Sequence, residues 1–298
     1  MKTRTVELIA SPGEPHFVGD GFRVHNFIPG KFRLDMHRMN PFIFLDYNAP
    51  YHFPASDKPR GVGVHPHRGF ETVTIAYKGK VAHHDSSGGG GVIGEGDVQW
   101  MTAASGILHK EYHEAEWSKT GGDFQMVQLW VNLPKKHKMS APKYQAIKSD
   151  AINRHELETP SGEAGNQGFI EVIAGEYKNT KGVASTFTPM HLFNAKLNKG
   201  GKADFEFPQN YHTALLVVEG NIVINGGETA PADHLALMAN DGESFQIQAT
   251  DDAVVLVISG EPIDEPIAAQ GPFVMNTREE LQTAFNDFNE GRFGYLES

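Results

Sequence analysis

Cysteine is absent from the 298-residue chain, which excludes disulfides, thiolate metal ligands and iron–sulfur clusters. That absence names no compartment by itself. No apolar run approaches the roughly 18 residues that a membrane span requires. Positive charge is scarce: 26 Lys and Arg stand against 37 Asp and Glu, a net −11. An acidic surface repels phosphate backbones, so neither direct nucleic-acid binding nor a membrane is expected. The opening Met1-Lys2-Thr3-Arg4-Thr5-Val6-Glu7 lacks the apolar core of a secretory signal. A soluble, cytoplasmic protein is the expectation, with the nucleus open to it in a eukaryote.

What the chain does have is short strands. Its length is about twice that of a usual domain, so two domains are expected. The 39% apolar residues recur in β-branched and aromatic runs between turns built from 32 Gly and 17 Pro, an all-β pattern. Lys78-Gly79-Lys80 reads as the turn of a hairpin, and Leu215 to Ile224 around Glu219-Gly220 reads as a second. This echo argues for two copies of one β domain. The basic, proline-bearing stretch Leu133-Pro134-Lys135-Lys136-His137-Lys138 reads as a solvated linker, dividing residues 1–134 from 135–298. The four glycines Gly88 to Gly91 have no helix pattern and no Lys-Ser/Thr after them, so they read as a strand-connecting tip rather than a phosphate cradle. Near the end, Thr277 and Glu280 form a capping box ahead of the stripe Leu281, Ala284, Phe285, Phe288, which predicts one short C-terminal helix.

The chemistry concentrates between Val64 and Glu111. His65 and His67 are two residues apart, and so are His109 and Glu111. On a strand such neighbours point to the same face. Two such pairs on facing strands can aim three imidazoles and a carboxylate at one point, a mixed nitrogen and oxygen site for a borderline, non-thiolate metal. Imidazole must be neutral to ligate, so affinity should fall in acid. Most of the 15 His are expected to be structural or exposed. Glu71, four residues past His67, shares its face on a straight strand and competes for the carboxylate role. It is placed as a pocket-lining group beside Thr72 and Thr74. His83, His84 and His113 are left unassigned, expected at the surface or behind the ligands rather than among them.

His65-Pro66-His67-Arg68-Gly69-Phe70-Glu71-Thr72-Val73-Thr74, then His84-Asp85-Ser86, Gly96-Asp97-Val98-Gln99-Trp100-Met101-Thr102-Ala103 and Gly106-Ile107-Leu108-His109 resemble the signature of the pirin family. Asn40-Pro41-Phe42-Ile43-Phe44-Leu45-Asp46 and Gly271-Pro272-Phe273-Val274-Met275-Asn276-Thr277 are similar to further pirin segments, so the likeness covers nearly the whole chain. Glu95 and Ala104 depart from residues common in the family, both in turns. The resemblance implies a bicupin of two jelly-roll β-barrels packed face to face. Residues 1–134 would carry the metal, and 135–298 would be degenerate and metal-free, since His212 stands there without a His-x-His. It implies one divalent transition metal per chain, Fe(II) as the usual ion with Mn, Ni, Co, Cu or Zn open, held by His65, His67, His109 and Glu111. It further implies a quercetin 2,3-dioxygenase type of activity, in which a flavonol is opened by O₂ with release of carbon monoxide. Glu111 would serve as catalytic base toward the flavonol 3-hydroxyl. The alternative it implies is a metal-binding, redox-sensitive partner of a transcription factor or metabolic enzyme.

Overall fold

The computed structural model describes residues 2–30, 34–158 and 164–297. Its antiparallel strands gather into two compact units. The first comprises Glu14–His37, Pro41–Ser149 and Ile263–Ser298; the second comprises Met1–Gly13, Arg38–Asn40 and Asp150–Pro262. Among the described residues no helix is long and apolar enough to cross a membrane.

Each unit repeats one plan. The first has a seven-stranded sheet in the order Lys143–Ile147, Val98–Thr102, Phe70–Lys78, Gly122–Asn132, Phe42–Phe53, Phe22–Ile28, His16–Val18. Its four-stranded sheet runs Gly61–His67, Ile107–His113, Val81–Asp85, Gly90–Ile93. The second has a seven-stranded sheet in the order Val6–Ala10, Leu235–Met238, His212–Glu219, Ala253–Gly260, Met190–Leu197, Ala164–Ala174, Asn153–Glu158. Its four-stranded sheet runs Lys202–Glu206, Ser244–Ala249, Asn221–Ile224, Glu228–Pro231. Apolar side chains of both sheets meet in a shared core within each unit. In the first, Phe22, Val24, Phe53, Phe124 and Met126 pack with Val81 and Ile93. In the second, Phe193, Leu215 and Val257 pack with Phe205, Ile224, Phe245 and Ile247. These are cupin-type sheets, open at their edges rather than closed into a ring of hydrogen bonds.

The turns at Gly79 and Gly220 do not close hairpins. Phe70–Lys78 pairs with Val98–Thr102 and Gly122–Asn132, whereas Val81–Asp85 pairs with Ile107–His113 and Gly90–Ile93. The strands either side of Gly220 likewise belong to different sheets. Both glycines are therefore corners at which the chain changes sheet, with φ of 83° at Gly79 and 72° at Gly220. A Cβ at Gly79 would stand 2.7 Å from Phe124 Cδ2.

The expected division at 134/135 is not where the contacts divide the chain. Lys143–Ile147 extends the first unit's large sheet by pairing with Val98–Thr102, and Val6–Ala10 is an edge strand of the second unit's large sheet. Phe273 returns to bridge Arg68. Long-range strand pairing, which no local turn signal encodes, decides membership. Nor is the basic stretch a solvated linker. Lys135–His137 is one 3₁₀ turn, and the buried Lys138 Nζ donates to Gly69 O (2.7 Å), Asn132 Oδ1 (2.7 Å) and Val274 O (2.9 Å). Burial pulls that ammonium down to about 7. The C-terminal helix forms at Arg278–Asn289 with its Thr277/Glu280 capping box. Leu281 and Ala284 are buried against Phe273 and Phe293, with Phe285 packed alongside.

Candidate metal centre

Gly61–His67 and Ile107–His113 pair antiparallel, and the register sets His65 opposite His109 and His67 opposite Ile107. Beyond His109 the register shifts, bringing Glu111 opposite Val62. That bulge puts one extra residue on the histidine-bearing strand and bends it. The chain then turns at Arg68-Gly69, where Gly69 has φ of 90°. A side chain there would run into the Val274 carbonyl oxygen. The turn moves the next strand, Phe70–Lys78, into the other sheet. Glu71 thus pairs with Thr102 in the seven-stranded sheet and does not share the face of His67. Its carboxyl is pushed up to about 7 by burial, against a 2.7 Å hydrogen bond from Thr102 Oγ1.

Three imidazoles converge. Ring centroids are 4.2 Å apart for His65 and His109, 4.7 Å for His67 and His109, and 4.9 Å for His65 and His67. Their candidate ligand nitrogens all lie within 4.8 Å of one another. A second group of the same tightness consists of His83, His109 and Glu111, so His109 is common to both. Both groups lie in the first unit. His67 and His109 are buried and His65 partly so. Desolvation, reinforced by the neighbouring rings, holds the pKa of His67 and of His109 well below the ordinary histidine value. Both rings are therefore neutral, the form that ligates a metal.

Hydrogen bonds fix which nitrogen each ring presents. His65 Nδ1–H donates to Gly63 O (2.8 Å), and His67 Nδ1–H to Pro272 O (3.4 Å). His83 Nε2–H donates to Asp85 Oδ2 (3.2 Å), which leaves His83 Nδ1 as an acceptor for Gln99 Nε2 (3.1 Å) and for His109 Nδ1–H (3.4 Å). Each of the three converging rings is thus left with a lone pair on Nε2. On His109 that atom is buried with no hydrogen-bond partner. An unsatisfied buried nitrogen costs roughly 1–3 kcal/mol, which a bound cation would remove. The orphaned atom and the three converging imidazole nitrogens fit a borderline divalent transition metal, while Glu111 falls in the group with His83 and His109 and not in that of His65 and His67.

The layer behind the imidazoles comprises His83, Asp85, Gln99, Thr74 and Gln128. Burial alone would raise the Asp85 carboxyl, but hydrogen bonds from His83, Ser87 and Gly89 outweigh it and hold it at about 2. Gln99 Nε2 also donates to Glu111 Oε1 (3.0 Å), and its Oε1 accepts from Tyr144 Oη (3.3 Å). Among the described residues, Glu111 Oε2 receives only a long 3.4 Å bond from Gln128 Nε2. Thr74 Oγ1 lies 2.7 Å from Gln128 Oε1 and 3.2 Å from Glu111 Oε1, its single proton serving one at a time. His83 stands behind the ligand histidines as the sequence allowed, whereas Asp85, Gln99 and Gln128 were passed over, although the rule that paired His65 with His67 also pairs His83 with Asp85. His84 is exposed and meets Tyr112 Oη, and His113 Nε2–H donates to Gly21 O among Phe22, Phe53 and Phe124. In the second unit His212 Nδ1–H donates to Asn40 O.

His65, His67 and Glu111 open onto a cavity of about 340 Å³. Val18, Phe22, Val24, Phe44, Val62, Met126 and Trp130 line it, with Asp46 and Gln128 as its other polar groups. That volume sits at the lower end of the roughly 300–1,000 Å³ of small-molecule sites, and a mostly apolar wall with few polar groups is their usual make-up. Trp130 stacks between Phe44 (4.4 Å) and Phe70 (4.3 Å).

Comparison with known proteins agrees with this architecture. The family model described as pirin matches residues 21–131, and the pirin C-terminal cupin domain matches 192–294. A Pseudomonas aeruginosa protein, provisionally named a quercetin 2,3-dioxygenase, is 46% identical over 93% of this chain and 94% of its own. The crystal structure of a quercetin 2,3-dioxygenase from Acinetobacter baumannii superposes with a TM-score of 0.91 at 45% identity, covering 99% of this chain and 100% of that one. A bacterial pirin from Escherichia coli, solved in complex with nickel(II), shares the fold at 21% identity and a TM-score of 0.60, covering 86% of this chain and 100% of its own. Two family models in series and a relative matched nearly end to end place this chain in the pirin family.

Proposed function

We propose that this pirin is a metal-dependent dioxygenase that opens flavonols such as quercetin with O₂ and releases carbon monoxide, at a site formed by His65, His67, His109 and Glu111. The observation that carries the reading is the apolar cavity lying directly against the candidate ligands. A protein whose metal only tuned a docking surface for a regulatory partner would need no such space. The names of the Pseudomonas and Acinetobacter relatives point the same way. Iron(II) is the ion we assign. When bound, it contributes Lewis acidity toward a hydroxyl oxygen and a template for dioxygen.

The chain's own residues do the rest. Phe44 offers a flat apolar face against which an aromatic substrate stacks, and with Phe22, Val62 and the edge of Trp130 it keeps water from the reacting ring. Gln99 and Gln128 hold the Glu111 carboxylate in place. Oε2, with its single long hydrogen bond, is the oxygen placed to take the proton of the flavonol 3-hydroxyl. The test is carbon monoxide release from quercetin under air by protein loaded in turn with iron, manganese, nickel, cobalt and copper. Release by the iron form that disappears in Glu111→Gln supports the reading; silence with all five metals rejects an enzyme and leaves the partner role.

A further inference from the structure

The cavity wall contains one charged group that the proposed chemistry does not use. Asp46 lies midway along Phe42–Phe53, 4% exposed, on a wall otherwise built largely of apolar side chains. Its cross-strand neighbour is Gln128, whose own neighbour on the far side is Thr74. Both of these, like Gln99, reach Glu111. Adjacent strands are about 4.8 Å apart, so the polar row runs roughly 10 Å from the hydrogen-bond partners of Glu111 to Asp46. Asn26 Nδ2 donates to Asp46 Oδ1 (2.8 Å) and is itself anchored on Ile28 O (3.1 Å). Oδ2 receives no hydrogen bond among the described residues. A buried carboxylate with one oxygen pinned and the other open to a cavity is costly unless a donor arrives.

We infer that Asp46 determines specificity: its open Oδ2 accepts a hydrogen bond from a hydroxyl on the part of an aromatic substrate that lies away from the three imidazoles. The site therefore selects polyhydroxylated aromatics over bare ones. This rests on the flavonol reading above and adds to it which flavonols are taken. Desolvation raises the carboxyl's pKa, which strengthens its demand for a donor.

The probes are quercetin and 3-hydroxyflavone, which keeps the metal-facing hydroxyl and lacks every other. Binding to the zinc-loaded protein is titrated anaerobically by flavonol absorbance, so no turnover is needed. The wild type is expected to bind quercetin at least about tenfold more tightly, the worth of one buried hydrogen bond to a charged acceptor. Asp46→Asn turns the cavity-facing acceptor into a donor while preserving shape, and Asp46→Leu removes it. Both should bring the two affinities to within about twofold, with zinc content and 3-hydroxyflavone binding unchanged. Should Asp46→Leu fail to fold, Asp46→Asn carries the comparison. A preference that persists in the variant, or is absent in the wild type, overturns the role of Asp46 and leaves the flavonol reading standing. Binding of neither compound to the wild type removes the flavonol reading, and the role of Asp46 with it.

Discussion

The two units use one pair of sheets for opposite ends. In the four-stranded sheets, Gly61–His67 occupies the place in strand order that Lys202–Glu206 holds in the other unit, and Ile107–His113 that of Ser244–Ala249. The inward row of the first is His65, His67, His109 and Glu111. The corresponding strands of the second bring Ala203, Phe205, Phe245, Ile247 and Ala249 into an apolar core. After the corner glycines the contrast repeats: four residues past Gly79 stands His83, and four past Gly220 stands the buried Ile224. The scaffold tolerates either filling, so fold does not specify function here. The second unit shows these sheets filled by an apolar core. The first gives up part of that core to polar groups that hydrogen-bond to one another and leave the buried His109 Nε2 without a partner.

Replacing His109 with Phe, which makes its strand resemble Ser244–Ala249, should have the largest effect. Elemental analysis is expected to find metal near zero, and any carbon monoxide release should fall more than about a hundredfold, since loss of a ligand exceeds the roughly 10–100-fold cost of an outer partner. Metal retained at full stoichiometry would show that His109 is not a ligand. Phe245→Ala in the second unit should cost about 3–5 kcal/mol in denaturant unfolding, by loss of packed area and the cavity left behind. Its metal content per folded chain should stay unchanged; a fall would mean the two fillings are not independent.

Acid should strike both units, and the first also through His67 and His109. Burial lowers His113 in the first and His191 in the second from 6.5 to about 4. The unfolded chain then takes up protons that the folded one refuses, so stability is complete above about pH 6.5 and declines as pH falls toward 4, by up to about 3 kcal/mol for each ring. Urea titrations at pH 7 and pH 5 measure this, and His191→Phe should flatten the dependence for the second unit. Smallest is His83→Ile, which copies Ile224. It frees Nδ1 of His109, and metal affinity should drop about 10–100-fold without a matching loss of melting temperature. Equal losses in both readouts would make His83 a packing residue only.

Period-two spacing is a property of the extended backbone itself, which is why His65 with His67 and His109 with Glu111 could be paired before any fold was known. The capping box of Thr277 and Glu280, and the turns at Gly79 and Gly220, are likewise local chemistry written in consecutive residues, but that those turns are corners between sheets and not hairpins is not. Pairing partners are not local. That His65 faces His109 across a bulge, that Gly69 diverts Glu71 into the other sheet, and that Val6–Ala10 and Ile263–Ser298 exchange units all depend on hydrogen bonds between distant strands. The same holds for Lys138, a charge that reads as solvated and is buried because three carbonyl oxygens close around it. Sequence alone therefore determined the candidate residue pairs, the all-β class and the doubling. Only the tertiary structure decided which rings converge, which nitrogen each presents and what cavity they face, because register and sheet membership are settled by long-range pairing and the burial it enforces.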